Sequence, residues 1–183
     1  MYYKEEAREI EIKGVYDCIV VGSGPSGMAA AVCAARRGVS VLLIEAAGSV
    51  GGISTTGLMS HFTGSVNSVF YRELLDRAAE KNRFARGVRT ITIDPEMLKI
   101  TYYELLKEAG VDLLLYTLVC GVIREGDAVT GVICESKSGR TAYKAKIVID
   151  ASGDGDVAYR SGAAYTLGRE EDGAMQPATL MFK

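Results

Sequence analysis

Two kinds of apolar pattern alternate along the chain. Tyr16 to Val21 is apolar almost throughout, as expected of a central parallel strand covered on both faces. Ahead of it, Ile10 to Lys13 alternates apolar and polar positions and predicts a short edge strand. Pro25 to Arg37, PSGMAAAVCAARR, is alanine-rich and favours a helix; Pro25 stands early, where its missing N–H is harmless, and Gly38 supplies the stop. Val39 to Glu45, VSVLLIE, is a second β-branched strand and closes a βαβ unit. A long loop follows, AAGSVGGISTTGLMSHFTGS, too rich in Gly, Ser and Thr for a regular element, and its length points to function.

Beyond the loop, Ser68 to Lys81 predicts a helix whose apolar side is Val69, Leu74, Leu75, Ala78 and Ala79. Asp94-Pro95 opens another helix, which Gly110 closes. From Val111 the period becomes that of strands. VDLLLYT, LVCGVI, AVTGVICES and RTAYKAK are separated by turns at Glu125-Gly126-Asp127 and Ser138-Gly139 and read as a meander. It leads into a further buried run, Ile147 to Ala151, which stops at Ser152-Gly153-Asp154-Gly155-Asp156. The predicted fold is therefore α/β and Rossmann-like, with a central parallel sheet, flanking helices and an inserted β-meander.

Composition narrows this picture. At 183 residues, 48% hydrophobic and 24% charged, the chain can bury one core of ordinary size but hardly two. A net charge of -2 provides no field that would gather nucleic acid or an anionic membrane. Cys18, Cys33, Cys120 and Cys134 are scattered, with no ligand-like spacing to the single histidine, His61, so no metal site is expected. All four cysteines lie in apolar segments and read as small hydrophobes. The first residues, MYYKEEAREIEIKG, are charged where a signal peptide would be apolar. No run reaches the roughly 18 apolar residues of a membrane helix, which favours a reducing cytoplasm.

The candidate chemistry centres on Gly22, Gly24 and Gly27, a G-x-G-x-x-G turn between the first core strand and the first helix. The first glycine permits the tight turn, the second admits a pyrophosphate, and the third lets the helix pack on the strand. A diphosphate there would meet unpaired N–H groups and the positive end of the helix dipole. Glu45 ends the second strand eighteen residues after Gly27, where an acid can accept from ribose hydroxyls and repel a 2′-phosphate. FAD and NAD both remain open on these residues. A second bare patch at Gly51-Gly52-Ile53-Ser54, the meander, and VIDASGDGD suggest a cofactor of longer reach.

The segments YDCIVVGSGPSGMAAAVCAARRG, LLIEAAGSVGGIST, VIDASGDGDVAYRSGA and QPATLMF resemble the FAD-dependent oxidoreductases of the glutathione-reductase-like, two-dinucleotide-binding class. Within that class the chain is most similar to the family that includes heterodisulfide-reductase-like flavoproteins. The resemblance implies that Gly22, Gly24, Pro25, Ser26 and Gly27 line the FAD pyrophosphate and that Glu45 and Ala46 meet the adenosine ribose. It implies that Gly51, Gly52, Ile53 and Ser54 pass beside the diphosphate, ribityl chain and flavin, and that Val119 offers backbone to adenine. Ala151, Ser152 and Gly153 correspond to the segment closing over the cofactor, with Asp156 beside them; turn and helix-cap chemistry is the alternative for Asp154 and Asp156.

His61, in the long loop, is the candidate acid, base or substrate contact, against the alternative of a solvated loop histidine. Ser54, Thr55 and Thr56 either bond the flavin edge or cap the loop, and Met59 and Phe62 are expected to cover the cofactor. The expected function is flavin-dependent oxidoreduction of a small-molecule substrate or redox partner, without nucleic acid or membrane. The alternatives are a non-catalytic nucleotide-binding module and, more weakly, an NAD-dependent dehydrogenase. Members of the resembled family are longer and carry a substrate domain, and the heterodisulfide-type relatives carry clustered cysteines for iron–sulfur centres, which are missing here. Residues 1–162 are thus expected to form the FAD-binding domain and 163–183 to begin a second, substrate domain, with a missing C-terminal domain or second subunit as partner.

Overall fold

The computed structural model describes residues 1–4, 6–59, 61–62, 66–81 and 93–182; Ser60 and residues 63–65 of the expected loop lie outside them. Strand β1 (Ile12–Val21) unites the two strands expected at the N-terminus, with a register shift between Ile12 and Gly14. It pairs in parallel with β2 (Val41–Ile44) on one side and β6 (Gly139–Asp150) on the other. With β3 (Asp112–Leu114), β4 (Leu118–Glu125) and β5 (Ala128–Ser136), these form one six-stranded sheet in the order β3-β2-β1-β6-β5-β4.

Three of the four runs read as a meander, β4, β5 and β6, pair antiparallel within this sheet, whereas VDLLLYT supplies β3, which pairs in parallel with β2 at the opposite edge. β6 is antiparallel to β5 from Gly139 to Lys144 and parallel to β1 from Ala142 to Asp150, so RTAYKAK and the run from Ile147 belong to one twelve-residue strand. Its end is less buried than its composition predicts. Val148 and Ile149 pack against different core clusters, whereas Ile147 is 61% exposed.

Alternation along the strands explains why residues 18–21 of β1 and Val41–Ile44 of β2 are wholly apolar. Val20 and Leu43 face one cluster, shared with α1 (Pro25–Ala35), α2 (Val69–Lys81) and α3 (Pro95–Ala109). Ile19, Val21, Leu42 and Ile44 face the other, closed by Val119, Val132 and Cys134 of the meander and by Val157 of α4 (Asp156–Ser161). Burying each such side chain contributes roughly 1.5–3 kcal/mol, so a polar residue on either face would be strongly destabilising.

Local signals set the helix limits. Asp94 caps α3 by accepting from the N–H groups of Glu96 at 2.8 Å and Met97 at 3.3 Å, and Gly110 ends it at φ 73°. In α1 the buried stripe is Gly27, Met28, Ala31 and Val32, so Cys33, about 100° further round, faces solvent rather than the core. Glu73 of α2 bonds Arg36 and Arg77, and Arg77 in turn bonds Glu108 of α3. Among the described residues no helix is long and apolar enough to cross a membrane.

The cysteines make a first prediction. Cys134 is fully buried, and burial together with the neighbouring Cys120 pushes its thiol up to about 12. Burial and Asp17 likewise push Cys18 up. Alkylation of the folded chain at neutral pH should therefore modify Cys33 first and leave Cys18 and Cys134 untouched, as read by peptide mass spectrometry. Early labelling of Cys134 would contradict the packing of β4 against β5.

Candidate functional site

A trough of about 470 Å³ opens at the carboxyl ends of β1, β2 and β6. In open parallel sheets this is where ligands bind, and the volume lies in the usual range of roughly 300–1,000 Å³ for small-molecule sites. One wall is Gly22, Gly24, Pro25 and Ser26, leading into α1; beside it lie Glu45 and Ala46, just past β2. Gly52 and Ile53 come from the short 3-10 turn Gly52–Ser54, and Ala151, Ser152, Gly153 and Asp156 come from the segment joining β6 to α4. Val119 lines the trough together with Thr117 and Leu118.

The glycines of the first turn differ in what requires them. Gly22 has a φ of 91°, and a Cβ there would strike the Ala151 carbonyl and lie 2.8 Å from the Ser152 Cα. A Cβ on Gly27 would collide with the Gly22 carbonyl oxygen and crowd the Ala151 methyl at 3.3 Å. The fold itself needs both. Gly24 is unlike them: its φ is -62°, open to any residue, and a Cβ there would meet nothing within 4 Å. The fold does not require a glycine at this position, and the wall of the trough is left open there.

What enters should be anionic. Gly24 caps α1 without a side-chain hydrogen bond, Pro25 has no N–H, and the first turn contains no acid. The N–H groups of Ser26 and Gly27 therefore have no intrahelical acceptor, and the positive end of an eleven-residue helix faces the trough. Gly52 packs against this turn so closely that a Cβ on it would stand 3.0 Å from the Gly24 Cα. Two bare stretches of backbone thus share one wall. The arrangement fits the diphosphate of a dinucleotide.

Glu45 is held by its neighbours. Its Oε2 accepts from the Ser23 N–H at 2.8 Å and the Ser23 hydroxyl at 2.6 Å, and its Oε1 accepts from the Ala47 N–H at 2.7 Å. A carboxylate has about four acceptor sites, so capacity remains for a ribose hydroxyl. The segment after β3 is drawn to the same place: the Tyr116 N–H donates to Ala47 O at 3.1 Å and the Thr117 N–H to Glu45 O at 3.0 Å.

Asp150 organises the opposite wall. Its carboxylate accepts from the Ser152 N–H and hydroxyl at 3.1 and 2.7 Å and from the Val157 and Ala158 N–H groups at 2.9 Å each. Burial raises its pKa, but these hydrogen bonds outweigh burial and hold the group below its ordinary value. Ser152 Oγ in turn accepts from the Asp156 N–H at 2.9 Å. Asp156 therefore both begins α4 and lines the trough, whereas Asp154 is exposed and does not line it.

Other residues expected at the site do not line the trough. Gly27 packs against the Gly22 carbonyl and the Ala151 methyl, and the Gly51 N–H donates to Ser23 O at 2.8 Å. Ser54 is buried and donates to Gly51 O at 2.7 Å, while Thr55 donates to Val50 O at 2.6 Å and Thr56 pairs with Ser49. These hydroxyls cap their own loop. His61 is exposed and is not among the lining residues, nor is Met59; Phe62 packs edge-on against Tyr71 and on the helical core. Conversely, Thr117, Leu118 and Ser23 escaped sequence reasoning. Only Ser23 carried a signal, its place between the first two glycines. Among the described residues no group of three or more His, Cys, Asp or Glu is placed to hold a metal ion.

Comparison with known proteins agrees with this fold. Digeranylgeranylglycerophospholipid reductase 1 of Methanococcoides burtonii is 31% identical over 160 residues, 78% of this chain and 38% of that protein. In structure, a geranylgeranyl bacteriochlorophyll reductase-like protein of Thermoplasma acidophilum matches with a TM-score of 0.61 at 22% identity, covering 84% of this chain and 43% of the other. THI4 of Thermovibrio ammonificans matches with a TM-score of 0.62 at 21% identity, covering 80% and 61%. At such identities the two structures speak for the fold alone. The chain spans less than half the length of the first curated relatives it matches. The profile described as FAD dependent oxidoreductase matches residues 17–183, and the chain accordingly belongs to the FAD-dependent oxidoreductase family.

Proposed function

We propose that this chain is the FAD-binding portion of an oxidoreductase that acts on a small molecule or redox partner. The observation that carries the reading is Gly24, bare without any need of the fold, at the uncapped start of α1. When bound, the flavin supplies the hydride or electron transfer, and the protein supplies binding, orientation and electrostatics. The amides at the start of α1 and the backbone of Gly24 and Gly52 would hold the diphosphate. Glu45 would take the ribose, Thr117 to Val119 the adenine side, and Ile53 with Ala151 to Gly153 the flavin side.

Residues 1–162 act as the FAD-binding domain in this reading, and the segment from Ala163 begins a substrate domain. The exposure of Tyr165, Leu167, Leu180 and Phe182 supports that division. Four unpaired cysteines suit a reducing cytoplasm.

The trough lining offers no histidine, cysteine, lysine or tyrosine. That favours a second reading for the isolated chain, a nucleotide-binding module that does not turn over by itself. Titration of the purified chain with FAD, followed by visible absorption and then by dithionite and NADH, tests both. Saturable FAD uptake with bleaching by dithionite is expected. Reduction by NADH would refute the module reading, and no uptake at all would refute the proposed function.

A further inference from the structure

Ser23 stands between the first two glycines, is fully buried and does not line the trough. Its three polar groups all reach other cofactor segments. The N–H and the hydroxyl both donate to Glu45 Oε2, at 2.8 and 2.6 Å, and its carbonyl accepts from the Gly51 N–H at 2.8 Å. One residue therefore joins the first glycine turn, the acid past β2 and the second glycine patch. Two donors on one oxygen, with the Ala47 N–H on the other, leave the carboxylate of Glu45 no free rotation. We propose that Ser23 is a positioning residue for the adenosine half of the cofactor. It fixes the Glu45 carboxylate so that its remaining acceptor site points into the trough at the height of a ribose hydroxyl.

The inference rests on the reading that the trough takes FAD. The short hydroxyl bond to a charged acceptor is of the stronger class, and freeing the carboxylate to turn should weaken nucleotide binding about tenfold.

The test compares Ser23→Ala, Glu45→Gln and the double variant, with FAD and ADP as ligands and the melting midpoint of the ligand-free chain as control. Ser23→Ala should raise the Kd for FAD and for ADP by the same factor, since ADP carries the adenosine and diphosphate of FAD without its ribityl-flavin part. In the Glu45→Gln background it should change either Kd by less than about twofold, because its action runs through Glu45. Ser23→Cys, similar in size with a weaker donor, should lie between wild type and alanine, and it decides the matter if the alanine variant does not fold. Loss of FAD affinity without loss of ADP affinity, or a full-sized effect in the Glu45→Gln background, would overturn the proposal. A wild-type chain that binds neither ligand would sink the FAD reading and this inference with it. Wild-type binding with unchanged variants would sink this inference alone.

Discussion

Gly24→Glu is expected to leave the chain folded and to weaken FAD binding at least about a hundredfold, on the order of 3 kcal/mol. The fold tolerates the change because φ at this position is -62° and no atom stands within 4 Å of the new Cβ. An acid at the helix N-cap even favours α1, by about 0.3–1 kcal/mol. The same carboxylate would occupy the place, and use the amides, that the proposed function gives to the diphosphate. Helix stability and cofactor binding should therefore move in opposite directions. A melting curve with an FAD titration reads both, and a variant that binds FAD as wild type does would place the diphosphate elsewhere. Gly27→Ala supplies the contrast: its Cβ meets the Gly22 carbonyl and the Ala151 methyl, so it should lower the melting midpoint as well as FAD affinity.

Asp150→Ala is expected to destabilise the chain by about 3 kcal/mol and to detach the wall formed by residues 151–156. Hydrogen bonds to a charged group contribute about 1.5–3 kcal/mol each, and their losses do not add in full. Four donors on Ser152, Val157 and Ala158 lose their acceptor in this variant. The pH dependence has a fixed sign. Because the folded group titrates below its ordinary 3.8, its contribution is complete above that value and is lost as pH falls through the folded pKa. Asp150→Asn should thus be less stable than wild type at pH 7, with the gap narrowing below about pH 4. Urea denaturation at several pH values measures this. A gap that stays constant into acid would show that the carboxylate is not held as described.

The parallel unit and the first glycine turn were legible in the sequence because one physical cause acts on each residue there. Strand positions covered on both faces are apolar, and Gly22 and Gly27 are bare because neighbouring backbone approaches them closely. The β6 strand was legible only in halves, since its start alternates beside β5 and its end runs against β1. The side of the trough lined by Thr117, Leu118 and Val119 was least visible. VDLLLYT reads as one strand through Thr117, but β3 ends at Leu114 and the chain turns aside to bond Glu45 and Ala47. No glycine or proline marks that turn. Tyr116 makes it at a φ of 50°, with its ring over Gly48, where a Cβ could not fit. A turn enforced by tertiary contact leaves no local pattern to read. The same holds for Ser54 and Thr55, whose composition suits a cofactor edge equally well as the loop caps they form.

The most direct test is a crystal structure of the chain grown with FAD. The diphosphate should lie between Gly24 and Gly52, within hydrogen-bonding distance of the Ser26 amide, with an adenosine ribose hydroxyl on Glu45. FAD seated anywhere else, such as the groove between Lys13 and Tyr143, with the space beside Gly24 filled by water alone, would contradict the account.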